Sequence, residues 1–140
     1  MPPPDRQQTL ARRWLAKTRT DLAVASVVLE QGPDMDAWAA CFHAQQAAEK
    51  ALKAVLIAAG SQPPHVHDLR ALRTLMPPEL DLGATDAELS ELTMYATGSR
   101  HVFDAAMGAE DPTWGEAARA VVTAARIERA VRLHLGPDRA

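Results

Sequence analysis

The stretch from Ala37 to Gly60 constrains this chain more than any other. Seven alanines lie between Ala44 and Ala59, inside the run AQQAAEKALKAVLIAA. Alanine is the strongest helix former. At about 100° per residue, Cys41, Ala44, Ala48, Ala51, Leu52, Val55 and Ala59 share one broad face. A helix whose buried face is mostly methyl groups lets its neighbours approach closely, and that geometry suits a bundle. Composition points the same way. The chain has 28 alanines and 15 leucines against 11 valines and isoleucines, with 4% aromatics. Sheets draw on β-branched and aromatic residues, so an all-β fold is disfavoured.

The length of 140 residues is that of one ordinary domain. The expectation is a single helical domain over 1–140, with residues 1–6 and 136–140 as loose tails. One cysteine, Cys41, excludes an internal disulfide and a thiolate-built zinc site. No apolar run reaches the ~18 residues of a membrane span. The segment Met1-Pro2-Pro3-Pro4-Asp5-Arg6 lacks the apolar core of a signal peptide, so a cytoplasmic protein is expected. A net charge of −3 is unlike the basic surface of a general nucleic-acid coat. Alanine buries little area per residue, which makes dimerisation a reasonable way to bury more.

Start and stop signals divide the chain into four main helices. The first runs from about Gln7 to Glu30, with Leu15, Leu22, Ala25 and Leu29 on one face, and Gly32-Pro33 ends it. Asp34 or Asp36 caps the second, which runs to about Ala59 and stops at Gly60. A short helix spans Asp68 to Leu75, after Pro63-Pro64 and before Pro77-Pro78. The third long helix starts at Thr85, where Thr85-x-x-Glu88 has capping-box spacing, and ends near Gly98. The fourth repeats that box at Thr113-x-x-Glu116 and runs to Leu135, closed by Gly136-Pro137. The expected fold is therefore all-α: an antiparallel up-and-down four-helix bundle with a short extra helix between helices 2 and 3.

Four places can carry chemistry. On the second helix His43, Gln46, Lys50 and Lys53 lie opposite the alanine face. Their imidazole, amide and ammonium donors suit a phosphate or a base edge; alternatively they form a solvated face with a Glu49–Lys53 pair at i,i+4. His65-Val66-His67-Asp68 contains an H-x-H pair, a two-residue metal signal without an evident partner set. His67 or Asp68 capping the short helix is the simpler reading. The connection from Gly98 to Pro112 is long for a bundle and holds Arg100, His101 and Asp104, with Tyr95 one turn before it. A histidine can move a proton and an arginine can hold a phosphate, as metal-independent RNA cleavage requires. Finally, Arg119, Arg126 and Arg129 form a basic side of the fourth helix. It faces either phosphates or the acidic third helix, since residues 76–111 hold one basic residue against eight acids. Cys41 sits on the apolar face, as a packed thiol.

These residues resemble the HEPN family (higher eukaryotes and prokaryotes nucleotide-binding domain) over most of the chain. The likeness is carried by Trp14-Leu15 with Asp21-Leu22, by the run Phe42-His43-Ala44-Gln45-Gln46-Ala47-Ala48-Glu49-Lys50-Ala51-Leu52-Lys53-Ala54, by Gly60, by His67-Asp68-Leu69, and by Tyr95-x-x-x-x-Arg100. The resemblance implies a four-helix bundle, usually a homodimer. It also implies a minimal nucleotidyltransferase partner, often in a toxin–antitoxin pair, and no cofactor or metal. Many members of the family are ribonucleases marked by an Arg and a His with four to six residues between. After Arg100 the corresponding positions hold Ala105, Ala106 and Met107, so the spacing is not met there. Arg129 and His134 meet it, but inside a helix and about 140° apart. The resemblance therefore favours a nucleotide-, RNA- or partner-binding module using His43, Gln46, Lys50, Lys53 and Arg100. A ribonuclease built on Arg100 and His101, and a purely structural helical dimer, are the alternatives. In some family toxins a tyrosine beside the catalytic motif receives AMP; Tyr95 precedes Arg100 and departs from that arrangement.

Overall fold

The computed structural model describes residues 4–96 and 111–137. Helix α1 is Pro4–Gln31, α2 Ala37–Ala58, α3 Leu69–Arg73, α4 Asp86–Thr93 and α5 Trp114–Leu135; a 3₁₀ turn at Gly32–Asp34 joins α1 to α2. Among the described residues there is no strand. No helix among them is long and apolar enough to cross a membrane.

The boundaries follow local chemistry. Asp36 rather than Asp34 caps α2, accepting from the Trp38 amide at 3.0 Å. Asp68 rather than His67 caps α3, accepting from the Arg70 and Ala71 amides. Both Thr-x-x-Glu boxes form, with each threonine hydroxyl taking the N3 amide and each glutamate returning to the cap amide. Gly32 and Gly136 reverse the chain with φ of +80° and +76°, a region closed to most side chains. Helix α4 stops at Thr93, short of the expected Gly98; Met94 and Tyr95 continue as a tightened turn onto the Glu91 and Leu92 carbonyls.

Side-chain ladders fix the helix directions. Arg12 donates to the carbonyls of Leu135 and Gly136, while Arg19 pairs with Glu128, so α1 advances as α5 retreats. Arg12 also reaches the Pro137 carbonyl, satisfying acceptors that the end of α5 leaves open. Likewise Arg119 meets Glu91 at 3.1 Å and Arg126 meets Glu88 at 3.4 Å, which sets α4 antiparallel to α5. The basic side of the last long helix thus serves the acidic helix beside it, with Arg129 left exposed.

Helix α2 is the centre, in contact with α1, α3, α4 and α5. Ala40, Cys41, Ala44, Ala47, Ala48, Ala51, Leu52 and Ala54 are fully buried. Ala59, expected on the same face, lies past the helix end and is exposed. Around this slim axis pack the bulky side chains of Leu69, Leu72, Leu89, Leu92 and Ile127, all fully buried. Such a core tolerates little added volume at the alanine positions. Ala48→Leu is expected to destabilise the fold by about 1–3 kcal/mol, against less than about 0.5 kcal/mol for the exposed Ala118→Leu; urea denaturation of the two variants checks this.

Candidate functional site

The polar residues of α2 do not form one solvated face. They divide into two clusters, each organised by a carboxylate. The first belongs to the seam with α1. Asp21, on α1, is buried and accepts on both oxygens: His43 Nδ1 lies 2.9 Å from Oδ1 and Lys50 Nζ donates to Oδ2 at 2.6 Å. His43 and Lys50 are two helical turns apart on α2, so a single carboxylate from the neighbouring helix can hold both. Their side chains keep 31% and 28% of their surface exposed, enough to meet a ligand from solvent. Phe42 stands edge-on to the His43 ring at 5.4 Å and stacks on Trp38 at 5.1 Å, so the indole sits two rings from the imidazole.

The second cluster faces the segment that leads into α3. Glu49 accepts from Gln45 Nε2 at 3.1 Å and from Lys53 Nζ at 3.1 Å, and its Oε1 lies 2.8 Å from His67 Nδ1. Gln45 Nε2 also reaches the His67 carbonyl at 3.3 Å, so the segment before α3 is tied to α2 by backbone and ring together. Gln46 donates to Gln45 Oε1 at 2.7 Å and bridges the network toward the half-open side of α2. Among the described residues no buried side-chain nitrogen or oxygen lacks a partner. Burial raises the pKa of Glu49, but hydrogen bonds from Gln45, His67 and Lys53 and the charge of Lys53 outweigh it and hold the carboxyl below its ordinary 4.5.

Four of the expected site residues are therefore placed, and they do different work. His43, Gln46 and Lys50 border solvent. Lys53 does not: its side chain is 8% exposed and is consumed by Glu49, so it is a structural cation rather than a ligand donor. The Glu49–Lys53 pair exists, but as a buried pair, not a solvated one. Arg100 and His101 lie outside the described residues. His67 of the H-x-H pair is committed to Glu49 and Asp68 to its cap, and no group of three His, Cys, Asp or Glu forms a metal site among the described residues. Asp21 and Gln45 organise these clusters without having been singled out from the sequence, and Glu49 was read there only as half of an i,i+4 pair with Lys53. The clue for two of them was the i, i+4, i+8 spacing of Gln45, Glu49 and Lys53 within an alanine run.

Cys41 and Tyr95 form a separate buried contact between α2 and the end of α4. Burial is the main cause that pushes the Cys41 thiol up to about 12, against a hydrogen bond with Tyr95; Glu116, Glu91 and Asp36 add to the rise. Burial also raises Tyr95, reinforced by Cys41, Glu116 and Glu91. Such a thiol is not a nucleophile at neutral pH, and a phenol only 6% exposed is a poor target for a modifying enzyme.

The likeness to known proteins extends over most of the chain. The HEPN domain model matches residues 11–134. The crystal structure of TT1696 from Thermus thermophilus is similar at 33% identity and a TM-score of 0.69, over 86% of this chain and 94% of that one. A search of curated proteins found no match.

Two outcomes are expected from the buried clusters. A carboxyl held low in the folded state adds stability that is present above its unfolded value, near 4.5, and is lost as pH falls through the folded value. Glu49→Gln should flatten the loss of urea stability between about pH 5 and pH 3, and Glu49→Ala, which strands the Lys53 ammonium, should cost about 3–5 kcal/mol at pH 7. In thiol labelling at pH 8, native Cys41 should stay unmodified for hours and react at once in about 6 M guanidinium.

Proposed function

The chain belongs to the HEPN family, and on that premise we propose that it is a binding module for a nucleotide or RNA. In this reading it works as a homodimer beside a minimal nucleotidyltransferase, in a toxin–antitoxin-like pair. One observation carries the binding claim: Asp21 holds His43 and Lys50 in fixed positions on the half-exposed side of α2, with Gln46 between them in sequence. A phosphate needs hydrogen-bond donors that are already oriented, because ordering free side chains costs affinity. The carboxylate supplies that order. It occupies Nδ1 of the imidazole, so Nε2 is the ring nitrogen that addresses a ligand. Lys50 brings a formal charge and Gln46 an amide suited to a base edge. Arg100, matched to the family's arginine position, completes the set proposed for the anion. Lys53 drops out of it, since Glu49 consumes its ammonium.

The same residues favour binding over catalysis. The ribonuclease spacing after Arg100 meets Ala105, Ala106 and Met107 instead of histidine. None of the three can move a proton.

Trp38, stacked on the phenyl ring that touches His43, is the natural reporter. Titration with nucleotides and short RNA should change its fluorescence. Lys50→Ala should weaken binding about tenfold, the loss of one charge-assisted hydrogen bond, and Lys53→Met should leave the affinity of the folded protein nearly unchanged. Saturating ligand with no effect of Lys50→Ala would remove the site. Co-expression with the neighbouring genes tests the partner: a nucleotidyltransferase should co-purify, and none doing so would end that part of the reading. Growth arrest on induction that is lost in Arg100→Ala and His101→Ala would replace binding with cleavage.

A further inference from the structure

The seam between α1 and α2 carries more than the Asp21 cluster. Trp14, Lys17 and Asp21 follow one another at i, i+3 and i+7 on α1, within about 40° around the helix, so all three line one edge of the seam. The short turn at Gly32–Asp34 makes α1 and α2 antiparallel, and the Asp21–Lys50 contact sets their register. Seven residues bring a helix back to nearly the same side. Two turns beyond that contact, Trp14 of α1 therefore stands level with Ile57 of α2. Both are half-buried, yet neither packs against the main core as Leu22 and Leu29 of α1 do. The Trp14 indole N–H has no hydrogen-bond partner among the described residues, where no buried nitrogen is left unsatisfied, so it opens to solvent. Lys17 is exposed and forms no ion pair among the described residues. Asp21 lies one turn on, but His43 and Lys50 already occupy its two oxygens. Packing alone asks for neither an open indole nor an unanswered ammonium.

We propose that Trp14 and Lys17 extend the Asp21 site into a subsite for one nucleoside phosphate. The phosphate lies among Lys17, Lys50 and Nε2 of His43, and the base stacks on the Trp14 indole beside Ile57. The inference rests on the binding reading above and names its ligand class. Charge is the first argument. Asp21 cancels the charge of Lys50, so the cluster alone offers an anion oriented donors without a net attraction. Lys17, which nothing cancels, supplies it. Distance is the second. Seven residues of helix rise about 10 Å, the span that an ammonium–phosphate contact and one extended nucleoside cover together. A bare phosphate would leave the indole unused. Stacking reads the π-face that every base has, so the subsite favours purines over pyrimidines and discriminates weakly within each class.

Titration with AMP, ribose 5-phosphate and inorganic phosphate, followed by two-dimensional NMR, separates the parts, with helix content of each variant checked by circular dichroism. The indole N–H signal of Trp14 should move with AMP and stay in place with phosphate. Trp14→Ala should weaken AMP about tenfold and leave the two base-free ligands within about twofold. Trp14→Phe, which keeps an aromatic face, should hold AMP to within about threefold. Lys17→Ala should weaken all three ligands about fivefold, whereas Arg129→Ala, which removes the same charge from the exposed side of α5, should weaken none. A 5′-phosphorylated adenylate trimer that binds more tightly than AMP identifies the end of a strand as the source of the nucleotide, and equal affinity a free nucleotide. If Trp14→Ala weakens AMP and phosphate alike, or neither, the stacking role is overturned while Lys50→Ala still judges the Asp21 site. A Lys17→Ala variant no weaker than Arg129→Ala would remove Lys17 from the subsite. No response of the unaltered chain to any of the three ligands would end the binding reading and this inference with it.

Discussion

The short side chains of α2 are what the rest of the structure depends on. A helix that touches four others has no solvent side wide enough for long polar residues, so its centre must be slim. Nine of its residues from Ala40 to Ala54 are fully buried; six are alanine, and only Leu52 is a large aliphatic. The leucines and the isoleucine that fill the core come instead from α3, α4 and α5, which lean inward over the methyl groups. Volume is thus supplied from the periphery and space from the centre. A chain with the same hydrophobic total but leucines along α2 would push its neighbours outward.

That crowding sets the terms for every polar group on α2. Once α1 and the segment before α3 close over it, an unpaired lysine or glutamate there would lose its hydration with nothing in return. Asp21 and Glu49 meet this cost. Each accepts from two or three donors: Asp21 answers His43 and Lys50 across the seam between α1 and α2, and Glu49 answers Gln45 and Lys53 within α2 and His67 from the segment before α3. The two carboxylates differ in the exposure of their partners on α2: Gln45 and Lys53 are buried, His43 and Lys50 half-exposed. Glu49 and Lys53 are both nearly closed off, and the cluster ties down the approach to α3. Asp21 holds two residues that still reach water. The first arrangement stabilises; the second also presents donors.

Much of the fold was legible in the sequence because its signals are local. Thr85-x-x-Glu88, Thr113-x-x-Glu116, Gly32-Pro33 and Gly136-Pro137 act through bonds to neighbours in the chain, and each marks a boundary found in the structure. The site was half legible. Helical periodicity put His43, Gln46, Lys50 and Lys53 on one side of α2, but periodicity has no knowledge of what lies across from that side. It missed that Lys53 lies under cover with Glu49, and that Asp21, 22 residues before His43, supplies the carboxylate. Partner choice between helices is a long-range property. The cue within reach was the spacing of Gln45, Glu49 and Lys53 among alanines, where a charge at such a position implies a buried partner.

A charged residue in this bundle can therefore be sorted by whether the chain itself answers its charge. Arg12, Arg19, Arg119 and Arg126 are answered by other helices, and with them the direction of each helix is fixed. Lys53 is answered inside α2. His43 and Lys50 are answered by Asp21 and still open to solvent, a combination that orders a donor without hiding it. Arg13, Lys17, Glu30 and Asp34 are answered by nothing among the described residues, and they bracket the exposed Val24 and Val27 on the outer side of α1. Charges spent on the fold say little about partners. The groups that remain, held open on α2 or unpaired along α1, are where a bundle with so few aromatic side chains has recognition left to offer.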